Sequence, residues 1–305
     1  MEVRERVIGS VLGLALGDAL GAPFEFLRRI NVPDPIPALE LPWMDHPPGS
    51  TTDDTAMARN LVRSLTGRGG FDPDDLVRRH LEWFRTDPPD VGTLTRRVLR
   101  RVDRGEDAFE AARAVWEERG PEVSAGNGSV MYSAPLGLAY PNRLEELAEL
   151  GPRLSALTHY DPRCRTAVLA ITLVVAALVR GEERVGAVGS ALAAVEDREG
   201  GEELAYLIDA VGRERTIDGP DQGFCLFAAG VGLQALTRFD AFEPALRYVV
   251  GLGGDADTNG AVAGALLGAA VGEPGLPREW LGRLRHVENI RTEAEALASL
   301  VDARA

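Results

Sequence analysis

The sequence predicts an all-α fold in one domain spanning residues 1–305, and three observations carry that prediction. Apolar residues recur at mixed spacings of three and four through thirteen blocks, the period of helices that bury one face. Few runs alternate in the manner of a strand. The β-branched pair Val174-Val175 sits inside a helix-length apolar block rather than between turn signals.

Taken in order, the first block, 7–22, is apolar and rich in small residues. Residues 31–50 then carry Pro33, Pro35, Pro37, Pro42, Pro47 and Pro48, which keep the backbone out of a regular helix. A loop of that length inside a compact domain is often functional. Periodic blocks follow at 57–66, 73–86, 91–101 and 108–118. A polar break at 120–132 precedes block 143–157, and a second at 158–162 precedes 165–180. The series closes with 184–197, 203–211, 224–237, 242–249, 259–271 and 279–300. No repeat, low-complexity tail or interdomain linker interrupts it.

Composition narrows the function. A chain that is 45% hydrophobic and 26% charged can bury a substantial core. Its formal charge of -14 disfavours attraction to nucleic acid or to an anionic membrane. A polyanionic ligand therefore needs local help from cations or helix N-termini. The uncharged stretches 167–179 and 260–272 fall short of the roughly 20 residues of a membrane span and are expected to be buried helices. The first residues show no small-residue cleavage site, and Cys164 and Cys225 lie in separate apolar stretches, expected to be reduced core thiols. A cytoplasmic protein is the expectation.

Glycine recurs every fourth position in two places, at Gly9, Gly13, Gly17 and Gly21 and again at Gly260, Gly264, Gly268 and Gly272. Each set lies along one helix face. Glycine weakens helices, so tight packing must compensate. The expectation is that the two helices pack side by side and antiparallel, carrying Asp18 and Glu25 toward Asp257.

Two acidic loops share one grammar. Gly49-Ser50-Thr51-Thr52-Asp53-Asp54-Thr55 ends the proline-rich excursion, and Gly251-Leu252-Gly253-Gly254-Asp255-Ala256-Asp257-Thr258 precedes a late helix. Capping accounts for one or two of these side chains. It does not account for four aspartates and two threonines. Their oxygens, without cysteine or a nearby histidine, suit Mg²⁺ or Mn²⁺ better than a structural zinc site. Such a convergence without cations would be costly.

These motifs resemble the ADP-ribosylglycohydrolase family. The resemblance rests on Gly13-Leu14-Ala15-Leu16-Gly17-Asp18-Ala19-Leu20-Gly21 followed by Glu25, on Thr52-Asp53-Asp54, and on Asp255-Ala256-Asp257-Thr258, in that order along nearly the whole chain. It implies a compact multi-helix all-α fold with two divalent cations, Mg²⁺ or Mn²⁺, in a cleft. By that resemblance Thr52, Asp53, Asp54, Asp255, Asp257 and Thr258 are the metal ligands. Glu25 reaches the site from the exit of the first helix. Gly126, Asn127, Gly128, Ser129 and Met131 resemble the loop that wraps the distal ribose and diphosphate, and His159 matches a ligand-contacting histidine. Tyr132 stands where many members carry arginine; as a ligand-contacting residue it can still donate a hydrogen bond or stack, with Arg163 and Arg165 as candidates to supply the missing charge.

The implied reaction is hydrolysis at the anomeric C1 of the distal ribose of an ADP-ribosylated protein or small conjugate, releasing ADP-ribose. Glu25 is the leading candidate for general base and Asp54 the second. Glu25, Asp53, Asp54, Asp255 and Asp257 bring five negative charges, which two dications nearly cancel. Nucleic acid enters only as an ADP-ribosylated end. A non-catalytic ADP-ribose-binding relative and a hydrolase of another ribosylated molecule or phosphoester remain as alternatives, separable by metal-dependent release of ADP-ribose.

Overall fold

The computed structural model describes residues 1–304, which form an all-helical fold with one two-stranded ribbon. In chain order the elements are α1 (Val3–Gly21), β1 (Leu27–Arg28), α2 (Asp53–Arg68), α3 (Pro73–Phe84), α4 (Thr93–Val102), α5 (Ala108–Arg119) and α6 (Ala134–Ala139). They continue with α7 (Leu144–Ala156), α8 (Pro162–Val179), α9 (Arg184–Val195), α10 (Gly201–Ala210), α11 (Cys225–Arg238) and α12 (Phe242–Gly251). The chain ends with β2 (Gly253–Gly254), α13 (Ala256–Val271), α14 (Arg278–Arg283) and α15 (Val287–Asp302).

Local chemistry sets many boundaries. The side chains of Thr52, Asp72, Asp107, Asp161 and Glu183 each accept an amide hydrogen in the first turn of α2, α3, α5, α8 and α9. Each satisfies a donor that the helix itself leaves free. Pro73 and Pro162 occupy the first helical position, where the missing N–H costs nothing. The periodic block 279–300 is divided: α14 stops at Arg283, and His286 turns the backbone left-handed before α15. Periodicity carried through that corner because Trp280, Leu284 and Ile290 are all buried in the same core. The short helix α6, too brief to show a period, was not among the expected blocks.

The centre of the molecule is the contact between α1 and α13. A methyl group built on Gly17 would sit 1.9 Å from the Gly260 carbonyl oxygen, on Gly13 2.2 Å from that of Gly264, and on Gly9 2.5 Å from that of Gly268. The pairing runs in opposite directions along the two helices, as the glycine spacing predicts. At the other ends the pattern changes: Gly21 meets the Ala256 carbonyl, and Gly272 leaves the helix with φ 68° as its cap. The backbones touch along four turns, and both helices are buried over nearly their whole length.

Residues 3–24 and helix α8 are long and apolar enough, by length and composition, to cross a membrane, so the 13-residue limit expected from uncharged stretches was too short. In the fold 94% and 78% of their most apolar windows are enclosed by other helices, which makes them core helices here. Cys164 and Cys225 are both free and buried, as expected.

β1 and β2 pair antiparallel, Leu27 opposite Gly254 and Arg28 opposite Gly253. The ribbon ties the exit of α1 to the entry of α13, and Phe26 N–H also donates to the Gly254 carbonyl at 2.7 Å. Gly253 and Gly254 hold φ of 72° and 74°, a region that favours glycine.

Gly17→Ala should lower stability by about 1–3 kcal/mol or more through overpacking against the Gly260 carbonyl. Gly189→Ala, on an exposed face of α9 with nothing within 4 Å, should be neutral or stabilising by up to about 1 kcal/mol. Urea unfolding of the two variants checks this; equal effects would remove the close contact as the organising feature.

Candidate active site

Two helix starts and one helix exit converge on a cavity of about 860 Å³. Its lining includes Glu25, just after α1; Asp53 and Asp54, in the first turn of α2; and Asp255, Asp257 and Thr258, at the start of α13. The α1–α13 contact and the β1–β2 ribbon bring Glu25 to Asp255 and Asp257: one oxygen from each of the three carboxylates lies within 4.8 Å of the others. Asp54 joins them through the Thr258 hydroxyl, which donates to its Oδ2 at 3.4 Å, and the Thr52 hydroxyl, which donates to the same oxygen at 3.0 Å.

Asp18 fixes the position of the acidic loop 49–55. Fully buried on α1, it accepts hydrogen bonds from the Thr52 and Thr55 amides and from the Thr55 hydroxyl. The first helix therefore carries one carboxylate that shapes the site from behind and a second, Glu25, that faces it.

Electrostatics follow from this crowding. Burial first, then the neighbouring Asp255 and Asp90, pushes Glu25 up to about 7. Burial and then Asp255, Asp54 and Glu25 raise Asp257 well above the usual carboxylate range. Asp54 is raised by burial, Asp18 and Asp53, and Asp53 by burial and Asp90. Its Oδ1 leaves Asp54 with a buried oxygen that has no hydrogen-bond partner. An orphaned oxygen beside several converging carboxylates is a donor set that fits hard divalent cations.

The loop 126–131 lines the same cavity with Gly126, Asn127, Gly128 and Met131. Asn127 ties it to the acidic end by donating its side-chain amide to Asp255 Oδ2 at 2.9 Å. His159 packs on the glycines: a methyl on Gly128 would lie 2.8 Å from its ring and one on Gly126 3.4 Å. Burial lowers His159 to about 4, so the imidazole is neutral near pH 7, with Nδ1 against the Thr158 hydroxyl at 2.9 Å.

Of the residues singled out from sequence, Glu25, Asp53, Asp54, Gly126, Asn127, Gly128, Met131, His159, Asp255, Asp257 and Thr258 line this one cavity. Thr52, Ser129 and Tyr132 do not. Thr52 is buried with its hydroxyl on Asp54 Oδ2, and Ser129 shares a hydrogen bond with Ser155 at 3.0 Å. Tyr132 is corrected as a ligand-contacting residue: it is fully buried, with its ring edge-on to His80 at 5.3 Å. Met131 lines the cavity, and the next residue turns away from it. Arg163 is held by Asp161 and the Pro121 carbonyl, and Arg165 stacks on Tyr160 at 3.9 Å, so neither reaches the cavity.

Asp90 was missed. It lines the cavity and accepts the Asp53 amide at 2.7 Å, and burial raises its own carboxyl. The available signal was an aspartate placed after Pro88-Pro89 and just before α4. Trp43 and Met44, from the proline-rich excursion, and Arg119, at the end of α5, also lie on the lining.

A helical shell closed around a carboxylate-lined cleft defines the class, an all-helical protein with one acidic site. The chain belongs to the ADP-ribosylglycohydrolase family, whose model matches residues 1–305. It is 31% identical to the ADP-ribosyl-(dinitrogen reductase) glycohydrolase of Rhodospirillum rubrum, over 98% of this chain and 97% of that protein. It is 25% identical to the ADP-ribosylarginine hydrolase Tri1 of Serratia proteamaculans, over 97% of this chain and 80% of that one. A solved structure described as an ADP-ribosylglycohydrolase-related protein complex superposes with a TM-score of 0.81 at 34% identity, covering 98% of this chain and 99% of its own.

His80, beneath Tyr132, sets a pH dependence away from the carboxylates. Burial lowers it to about 3, below the roughly 6.5 of an unfolded histidine. The neutral ring is the folded form, so its contribution is complete above about pH 6.5 and is lost as pH falls toward 3. Between pH 6 and 4.5 the unfolding free energy should fall by up to about 1.4 kcal/mol per pH unit more in the wild type than in His80→Gln. Parallel slopes in denaturant titrations would contradict a neutral buried His80.

Proposed function

We propose that this chain hydrolyses the bond at the anomeric C1 of the distal ribose in ADP-ribosyl conjugates and releases ADP-ribose. The observation that carries the reading is the meeting of Glu25, Asp53, Asp54, Asp255 and Asp257 in a cavity that the Gly126–Gly128 loop also lines. Four buried carboxylates and the half-buried Glu25, with no arginine or lysine among them, call for cations. Asp53, Asp54, Asp255, Asp257 and the hydroxyls of Thr52 and Thr258 would hold two Mg²⁺ or Mn²⁺ ions. Such ions, when bound, orient ribose hydroxyls and acidify a bound water.

The chain's own residues do the rest. Asp18 and Asn127 fix the carboxylates from behind and from the side. His159, neutral and packed on Gly126 and Gly128, keeps the loop's path narrow where the ligand lies. Glu25 takes the proton of the attacking water on a carboxylate oxygen. The water oxygen bonds to C1, the bond from C1 to the leaving group breaks, and the leaving group takes up a proton from solvent, to which Glu25 then returns the one it took.

The names of the relatives point to ADP-ribosylated proteins with different acceptor groups, dinitrogen reductase in one and arginine in another. Selectivity for the leaving group is assigned to the rim formed by Phe26, Trp43 and Met44, of which Phe26 and Met44 are exposed and line the cavity mouth. Tyr132, enclosed in the core, has no part in it.

Asp257→Ala should abolish ADP-ribose release and remove the rise in melting temperature that Mg²⁺ or Mn²⁺ gives the wild type. Wild-type release of ADP-ribose by that variant would exclude Asp257 from the site. For Glu25→Gln, ADP-ribose binding should persist while turnover from a defined ADP-ribosyl conjugate falls by about 10²–10⁴-fold. Undiminished turnover would rule out Glu25 as the base.

A further inference from the structure

The cavity is unevenly charged. Its acidic end gathers Glu25, Asp53, Asp54, Asp90, Asp255 and Asp257, yet a ligand built on a diphosphate brings two negative charges of its own. Some group must meet them away from the carboxylates. Among the described residues on the lining, Arg119 is the one lysine or arginine side chain, and His159 is held neutral by burial.

Arg119 is the last residue of α5, immediately before Gly120, whose φ of 82° turns the chain toward the loop that ends at Gly126. One of its terminal nitrogens donates to the Val123 carbonyl at 3.3 Å. Its Nε is buried and has no acceptor. A guanidinium at a helix C-terminus can be accounted for by the helix dipole alone, but that does not account for a buried Nε without an acceptor on a residue that lines the cavity. The amides of Gly126 and Gly128, on the same lining, also donate to no protein acceptor. Open donors and a planar cation together suit an oxyanion with several acceptor oxygens.

We propose that Arg119 binds the diphosphate of the ligand and sets the site's preference for diphosphate-bearing ribosides over neutral ones. The inference rests on the reading that the ligand is an ADP-ribosyl conjugate. It gives the charge that neither Tyr132, in the core, nor Arg163 and Arg165, bound elsewhere, brings to the cavity. Arg119 is half-buried at the end of its helix, so replacing it leaves the core intact.

Calorimetric titration of Mg²⁺-loaded protein with ADP-ribose, at low and high NaCl, tests this in the wild type, Arg119→Ala and Arg119→Lys. Arg119→Ala should raise the Kd for ADP-ribose by about tenfold to a hundredfold, flatten its salt dependence, and raise KM more than it lowers kcat. Arg119→Lys should recover part of the affinity and the salt dependence. An unchanged Kd and salt slope in Arg119→Ala would overturn the assignment. Should that variant fail to fold, phenylglyoxal labelling of the wild type provides the second measurement: ADP-ribose should protect Arg119, and equal labelling with and without it would also overturn the proposal. A wild type that binds no ADP-ribose would instead sink the functional reading itself, a result distinct from binding that ignores Arg119.

Discussion

The acidic cleft depends on the backbone contact between α1 and α13, where glycines at every fourth position let two helices approach until each carbonyl fills the place of the other's missing side chain. That contact is a constraint before it is a source of stability. It fixes the rotation and the register of the two helices together, because any slip would drive a carbonyl into a neighbouring Cα. With register fixed, the exit of α1 lies over the entry of α13, and Glu25 has one place to go. The β1–β2 ribbon then locks the last few residues, pairing Leu27 with Gly254 one residue before Asp255.

Helix α1 also governs the acidic loop 49–55. Asp18 takes hydrogen bonds from Thr52 and Thr55, so the start of α2 is hung on α1 rather than on solvent. Three carboxylate-bearing segments, nearly 240 residues apart at their extremes, are thus referred to one rigid element. Burial raises every carboxylate at the centre, Glu25 and Asp18 to about 7. Under the proposed function, a positively charged occupant offsets the electrostatic cost of assembling such a group.

Much of this was legible in the residues. Helix periodicity gave the all-α fold, and the two glycine series gave the antiparallel pair, since a four-residue spacing has one geometric meaning on a helix. The acidic loops stood out because capping needs fewer oxygens than they contain. Asp90 was hidden by its setting: a single aspartate after two prolines looks like an ordinary helix entrance, and only the fold brings it to the Asp53 amide. Arg119 was hidden for the opposite reason, as one of many arginines in helix last turns. Tyr132 was misplaced because sequence proximity to Met131 does not say which way a turn residue faces. The split between α14 and α15 was invisible to periodicity, since the apolar residues on both sides of His286 serve the same core.

The central claim is that carboxylates from the starts of α2 and α13 enclose paired divalent cations. Anomalous diffraction at the manganese edge, from crystals soaked in Mn²⁺, measures this directly. Two peaks between the Asp53-Asp54 and Asp255-Asp257 carboxylates are the predicted result, and a cleft without anomalous signal at saturating Mn²⁺ would contradict it.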